Sequence, residues 1–266
     1  NGAGAAAIAC ARMFLALGAR RDQVTMCDSR GVVTTRRTDL NPVKREFATD
    51  RPVTTLREAL VGADVFLGVS TAGVLDADMV RSMIAHCDQS VHHMLPVWSH
   101  MGNENWCMSG YHAVSVLADA VAAGNFTHVR TALDAMLSTS TVPYYEGVAE
   151  YMELGYVPLD RSATAASTTL EYSYDDWAIY RTALDAGDEA AAERYRARAL
   201  NYRNVFDRET GFARPRYADG SFKADFDPLQ TYGEGFIEGN SWNFSFHAPH
   251  DVCGLIDLCL LYTSPS

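Results

Sequence analysis

The chain lacks several features that would settle its class at once. No stretch approaches the ~18 uninterrupted apolar residues of a membrane-spanning helix. The six cysteines never fall in a CxxC pair, which argues against a zinc ribbon or a small disulfide scaffold. Basic residues are outnumbered 22 to 33 and the net charge is −11, so no overall basic field exists for nucleic acid or an anionic membrane. Residue 1 is Asn1, with neither an initiator Met nor a signal peptide, and the chain reads as cut at its start. Residues 1–83 also lack Trp, Tyr and His altogether. They hold 11 of the 22 basic and 9 of the 33 acidic residues, a balance of +2, whereas residues 84–266 stand at −13. A break this sharp predicts two unrelated pieces: 1–83, then 84–258, with 259–266 as a foreign tail.

The first piece opens on small residues. Gly2, Gly4 and Ala7 fit G-x-G-x-x-A ahead of an apolar run through Ile8, Ala11, Phe14 and Leu15. In that pattern one glycine makes a tight turn, the second admits a pyrophosphate, and the small third residue lets helix and strand pack closely. Val24–Cys27 predicts a short strand, and Asp28 at its end suits a ribose hydroxyl. Val65–Val69 predicts another buried strand, and Asp76 and Asp78 begin a further helix. The strings GAGAAAIACARMFLALGA, MCDSRGVV and TLREALVGADVFLGVSTAGVLDADMVRSM resemble the NAD(P)-binding domain of malic enzymes. The resemblance implies a Rossmann-like α/β fragment in which Gly2, Gly4, Ala7 and Asp28 contact the dinucleotide. The strand before Asn1 and the malate-binding domain are missing from it, so little or no NAD(P) binding is expected.

The second piece has a helical texture. Apolar spacing predicts helices over 111–123, 126–137, 148–154, 167–186 and 188–206, with no alternating strand pattern. Long aromatic, Gly-rich loops between them suggest an all-α toroid more than a plain bundle. Those loops mix carboxylates with aromatic rings: Pro96–Cys107, Gly235–Phe244 and Pro249–Asp251, together with Leu170–Trp177 in the first turns of the fourth helix. Flat rings pack on a sugar face while carboxylates and amides bond its hydroxyls. Cleaving a glycosidic bond needs two carboxyl groups, one of them an acid.

Four strings in order carry a second resemblance: SVHHMLPVWSHMGNENWCMSGYHAVSVLADA, GYVPLDRSATAASTTLEYSYDDWAIY, RALNYRNVFDRETGFARPR and GFIEGNSWNFSFHAPHDVCGLI. They are similar to glycoside hydrolase family 92, exo-acting, calcium-dependent, inverting α-mannosidases. The resemblance implies a fragment of an (α/α)6 barrel acting on a mannose-containing glycan, with Glu238 as general acid. Such an acid needs a raised pKa, for which Phe236 and Trp242 could supply the apolar wall. Candidates to face the substrate are Asn103, Glu104, Glu171, Asp175, Asp176, Trp242, His250 and Asp251. Each also has a plainer use: acids in a first helical turn stabilise it, His250 and Asp251 can cap the next helix, and the tryptophans can be core. His92 and His93 read as structural, and Cys107 has no neighbour that would make it a nucleophile. The motifs that carry the family's base and most calcium contacts do not occur, so the chain is expected to be inactive. Ser82-Met83 fits both patterns, as a template switch between environmental reads would leave. No Gly/Pro/Ser linker marks the join.

Overall fold

A computed structural model describes residues 3–16, 18–63, 77–100, 103–105 and 107–260. The chain divides into two compact units, Asn1–Val74 and Leu75–Ser266.

In the first unit, helix α1 (Ala5–Ala16) begins directly after Gly4 and buries Ala7 and Ala11. Strands β1 (Cys27–Asp28) and β2 (Gly31–Val32) form an antiparallel hairpin. Two short helices follow, α2 (Pro42–Arg45) and α3 (Leu56–Leu60). Each starts on a side-chain cap: Asn41 accepts the Lys44 N–H, and Thr55 and Glu58 form a reciprocal capping box. Ala11, Met26, Val33, Leu40 and Phe47 make the core. The parallel sheet of a dinucleotide fold does not appear among the described residues; the one parallel contact is a bridge between Thr34 and Thr49. The expected strand at 65–69 lies outside the described residues, and so do Gly2 and Asp76. The predicted strand at 24–27 shifts to Cys27–Asp28.

The second unit is helical. Helix α4 (Ala77–Gln89) runs unbroken through position 83 and buries Val80, Ile84 and Cys87. A short hairpin, β3 (Ser99–His100) with β4 (Asn103–Glu104), leads to α5 (Ala113–Ala122), α6 (Val129–Thr139) and α7 (Val148–Leu154). Next come α8 (Ala165–Asp185) and α9 (Glu189–Arg198), then a 3-10 turn at Asn201–Val205. A third hairpin pairs β5 (Phe206–Asp207) with β6 (Phe212–Ala213), and α10 (Ser241–Phe244) and α11 (Val252–Leu260) close the order. The small hairpins correct the strand-free expectation. Helix α11 reaches Leu260, past the expected start of the tail.

Helix α8 is the axis of this unit. Fourteen of its 21 residues are buried, on every side from Ala165 to Leu170 and on one side beyond. An all-round buried helix is normally apolar; this one is rich in Ser and Thr. Their hydroxyls are satisfied within the helix: Thr169 donates to Ala165 O (2.8 Å), Ser173 to Thr169 O (2.8 Å) and Thr182 to Ala178 O (3.1 Å). Small side chains satisfied this way let α5, α6 and α9 pack close. The main core gathers Val114, Leu117, Leu133, Met136, Tyr172 and Ile179.

At the next step along α8 the core turns ionic. Asp176 is fully buried and accepts Arg198 Nε (2.7 Å), the Tyr111 hydroxyl (2.7 Å) and the Tyr151 hydroxyl (3.0 Å). Burial opposes the guanidinium charge of Arg198, but Asp176 and the surrounding phenol oxygens hold it firmly protonated. Replacing Arg198 with Met would leave the Asp176 charge buried without its cation. The expected cost in a urea unfolding titration is about 3–5 kcal/mol, and the double variant Asp176→Leu/Arg198→Met should recover most of it.

Glu146, between α6 and α7, is the opposite case. Its Oε2 is buried without a hydrogen-bond partner. Burial, then the charge of Glu104, pushes its carboxyl from 4.5 up to about 7. The folded chain therefore holds a proton that the unfolded chain releases, and stability should fall as pH rises from about 4.5 through 7. In Glu146→Gln that portion of the pH dependence should vanish. Unfolding midpoints of both proteins between pH 4 and 8 check this.

Candidate functional site

The segment 234–244 is fixed to the start of α8. The Gly235 carbonyl accepts the Ala166 and Ser167 N–H groups (3.0 and 3.2 Å), which a helix start otherwise leaves open. The Ser167 hydroxyl accepts the Ile237 N–H (3.1 Å). Gly235 is irreplaceable on two counts: its φ is +82°, and a Cβ would lie 2.8 Å from Pro215. Glu234, just before it, is buried and bonds Lys223 Nζ (3.0 Å).

Glu238 follows with φ of +49°, a left-handed backbone that a β-carbon disfavours. Its side chain is exposed and makes no hydrogen bond or ion pair among the described residues. The apolar wall expected from Phe236 and Trp242 is not built around it. Phe236 is buried against Phe244 (5.7 Å), whereas Trp242 is half exposed and leans on Phe212 (5.3 Å).

The other carboxylates of the second unit separate by what their oxygens already hold. Glu104 accepts the amides of Val97 (3.0 Å), Trp98 (2.9 Å) and Asn105 (3.1 Å), so it shapes its own loop. Asp175 is fully buried and accepts the Tyr111 N–H (2.7 Å) and His112 Nδ1 (2.9 Å). Asp176 is engaged by Arg198 and two tyrosines as described. Asp251 caps α11 through the Gly254 N–H (3.1 Å) and takes the Tyr202 hydroxyl (2.9 Å) and Arg203 (2.7 Å). Each of these four is engaged by scaffold donors through both of its oxygens. His250 bonds the Ala199 carbonyl through Nε2 (2.7 Å) and packs among Tyr174, Trp177 and Tyr202. Burial lowers its pKa and keeps it neutral. Asn103 pairs with His100 in the β3–β4 hairpin, and its side chain lies outside the described residues.

Glu171 differs. Its Oε2 lies 2.9 Å from His247 Nε2 and 3.5 Å from His112 Nε2. These are ion-pair distances without hydrogen-bond alignment: His247 Nε2 is buried without a hydrogen-bond partner, and neither Glu171 oxygen accepts a hydrogen bond among the described residues. Burial alone would lower the His112 pKa, but its bond to Asp175, with the charges of Asp175 and Glu171, pushes it up to about 9. His112 is therefore a cation at neutral pH. Neither histidine was among the expected site residues, because their partner lies 59 and 76 positions away along the chain. One usable signal was the placement of His112 directly at a helix start in a loop already singled out.

Two groups are expected from resemblance, calcium and a dinucleotide. Among the described residues no set of three or more His, Cys, Asp or Glu could hold a metal ion, so the arrangement offers calcium no such cage. In the first unit the Asp28 carboxylate is already engaged. It accepts Arg37 Nη1 (2.8 Å), Lys44 Nζ (2.8 Å) and the Arg30 N–H (3.0 Å). Burial alone would raise its pKa, but these partners hold it well below the usual carboxylate range. Gly4 is exposed and Ala7 buried. No helix among the described residues is long and apolar enough to cross a membrane.

Comparison with known proteins separates the same two stretches. An NADP-dependent malic enzyme of Haemophilus influenzae is 49% identical over 88 residues, covering 32% of this chain and 12% of that protein. One from Rhizobium meliloti is 51% identical over 84 residues, covering 31% and 11%. Among solved structures, a family GH92 alpha-mannosidase of Bacteroides thetaiotaomicron superposes with a TM-score of 0.66 at 41% identity, over 69% of this chain and 25% of that one. The same enzyme has been solved with mannoimidazole. An inverting family GH92 mannosidase of that organism gives 0.63 at 34% identity, over 67% and 25%. The chain thus spans a quarter of the length of these mannosidases and about an eighth of the malic enzymes. The model of the glycosyl hydrolase family 92 catalytic domain matches residues 72–259, well over half the sequence, and the chain belongs to that family.

Proposed function

We propose that the second unit is the part of an exo-acting, inverting α-mannosidase that carries the general acid, Glu238. The observation behind this reading is an exposed, unpaired carboxylate on a left-handed backbone, in a segment tied at both Gly235 and Ile237 to the buried α8. Strain of that kind persists only where the surroundings hold it, and it points Glu238 away from the scaffold contacts that engage its neighbours. In the proposed role Glu238 donates its proton to the glycosidic oxygen as the bond to the anomeric carbon breaks. Helices α5–α9 are then an arc of an (α/α)6 barrel, and calcium belongs to the complete family site.

An inverting reaction also needs a base carboxylate about 6.5–9.5 Å from the acid to activate water. The carboxylates tied into the scaffold cannot serve. We therefore propose a chain that holds a mannose-configured ligand without turning over a mannoside. For the first unit the malic-enzyme likeness supports a dinucleotide-binding lineage, and the engaged Asp28 argues for weak or no NAD(P) binding.

Isothermal titration calorimetry with mannoimidazole, with and without calcium, tests the glycan reading. Mannoimidazole carries a basic ring nitrogen able to accept the acid's proton. Binding by the unaltered chain, weakened about tenfold or more in Glu238→Gln, is the expected outcome; tenfold corresponds to about 1.4 kcal/mol. Absence of binding in both conditions would sink the reading, and equal binding by Glu238→Gln would reassign the acid.

A further inference from the structure

Three side chains from separate parts of the second unit meet at one point: His112 from the turn before α5, Glu171 from α8, and His247 from the segment after α10. We propose that His112 and His247 are positioning residues that clamp the Glu171 carboxylate, leaving its second oxygen to accept a hydrogen bond from a sugar hydroxyl beside the Glu238 segment. This rests on the glycan reading above and deepens it.

The first support is how firmly His112 is seated. Its Nδ1 faces the fully buried Asp175 at 2.9 Å, which directs the opposite ring nitrogen toward Glu171. Gly110, with φ of +89°, lies against the imidazole, and a Cβ there would come within 2.5 Å of the ring. A buried carboxylate and a glycine both serve the orientation of one partly exposed ring. A histidine with only a packing role would not need a buried anion behind it.

The second support is the asymmetry of Glu171. Both imidazoles converge on Oε2, at 2.9 and 3.5 Å. Both are charge contacts rather than aligned hydrogen bonds, His247 Nε2 being buried without a hydrogen-bond partner, and both are nearest to Oε2, so Oε1 is the less engaged oxygen. A carboxylate held by charge beside a cationic imidazole on one side keeps its other oxygen available to a ligand, at a reduced ordering cost. The groups facing the clamp are Asp175 and Tyr174 from α8, Tyr111 beside His112, and Phe244 beside His247. Asp175 is the other charged carboxylate among them, and it is bound to His112.

The third support is place. Glu171 lies four residues after Ser167, hence on the same face of α8 about one turn along, roughly 6 Å. Ser167 anchors Ile237, the residue preceding Glu238. The clamp residue on α8 and the anchor of the segment that carries the proposed acid are therefore about one turn apart on that helix. A sugar bonded to Glu238 through its glycosidic oxygen would bring ring hydroxyls over Glu171.

Two measurements on the purified chain test this together. The first follows the histidine ring signals by NMR from pH 5 to 10 in the unaltered protein, Glu171→Gln and His112→Gln. His112 should titrate near 9 in the unaltered protein and its midpoint should fall clearly in Glu171→Gln. The second measures binding of mannose and its monodeoxy derivatives by calorimetry. One deoxy position should cost the unaltered chain about tenfold, and cost Glu171→Gln nothing further. His112→Gln should weaken mannose several-fold with its thermal unfolding still cooperative. An unmoved His112 midpoint in Glu171→Gln overturns the clamp. Equal deoxy penalties in both proteins overturn the sugar-facing oxygen. Failure of the unaltered chain to bind any of these sugars, with the NMR response intact, overturns the glycan reading and the ligand role together while leaving the clamp standing.

Discussion

Two consecutive aspartates in the middle of one buried helix organise the second unit. Asp175 and Asp176 are 100° apart around α8, so their carboxylates diverge. One reaches the backbone entering α5 and fixes the orientation of His112. The other collects Arg198 from the end of α9 and the hydroxyls of Tyr111 and Tyr151. Burying two charges side by side is costly unless each is fully compensated. The compensating groups come from three different helical neighbourhoods, and this makes the packing specific. Slipping α5 or α9 along α8 would strand a charge in the core. The helix order and the orientation of the site follow from the same requirement.

That requirement also sorts the acidic residues chemically. A carboxylate whose two oxygens both accept N–H, O–H or guanidinium donors from the fold is committed to the scaffold. Glu104, Asp175, Asp176 and Asp251 are of this kind, and so is Asp28 in the first unit. Glu238 and Glu171 are not. They sit on or beside the same face of α8, one on a strained loop and one between two imidazoles. Counting donors thus separates catalytic candidates from scaffold more sharply than acidity or position in a motif does. It also explains why residues in one contiguous string, Glu171 through Asp176, have different fates. On a helix they point in different directions and meet different partners.

Much of this was legible in the chain, for reasons that differ by element. Helices α5 and α7 declare themselves by apolar spacing and by glycine stops at Gly124 and Gly155. Helix α8 starts at Ala165 rather than Ser167 because its N-terminal donors are closed by the remote Gly235 carbonyl, which no local pattern encodes. The fifth predicted helix breaks at Arg198, where the side chain turns inward to Asp176 and the backbone tightens to a 3-10 turn. The parallel sheet implied by the opening glycines needs several strands contributing edges to one another, and the described part of the first unit contains a two-residue hairpin instead. The roles of His112 and His247 were illegible because a clamp made of residues 112, 171 and 247 exists only once three elements have packed. Motif residues were found by type; which of their atoms remained free was decided by tertiary contacts.

The seam between the two sequence textures is a further case where packing speaks differently from pattern. Composition changes near position 83, in the middle of α4. Yet α4 is a single amphipathic helix whose Val80, Ile84 and Cys87 lie on one side, at helical spacing, and bury in the core shared with α5 and α6. Met83 packs against the same core. Val80 lies in the stretch that resembles malic enzymes, and it is as fully buried in the mannosidase-like unit as Ile84, which lies beyond it. An amphipathic helix asks little of its origin: apolar residues at i, i+4 and i+7 will dock on a complementary groove whatever preceded them. The physical boundary of the second unit therefore falls before Ala77, at the foot of the helix, and not where the composition shifts.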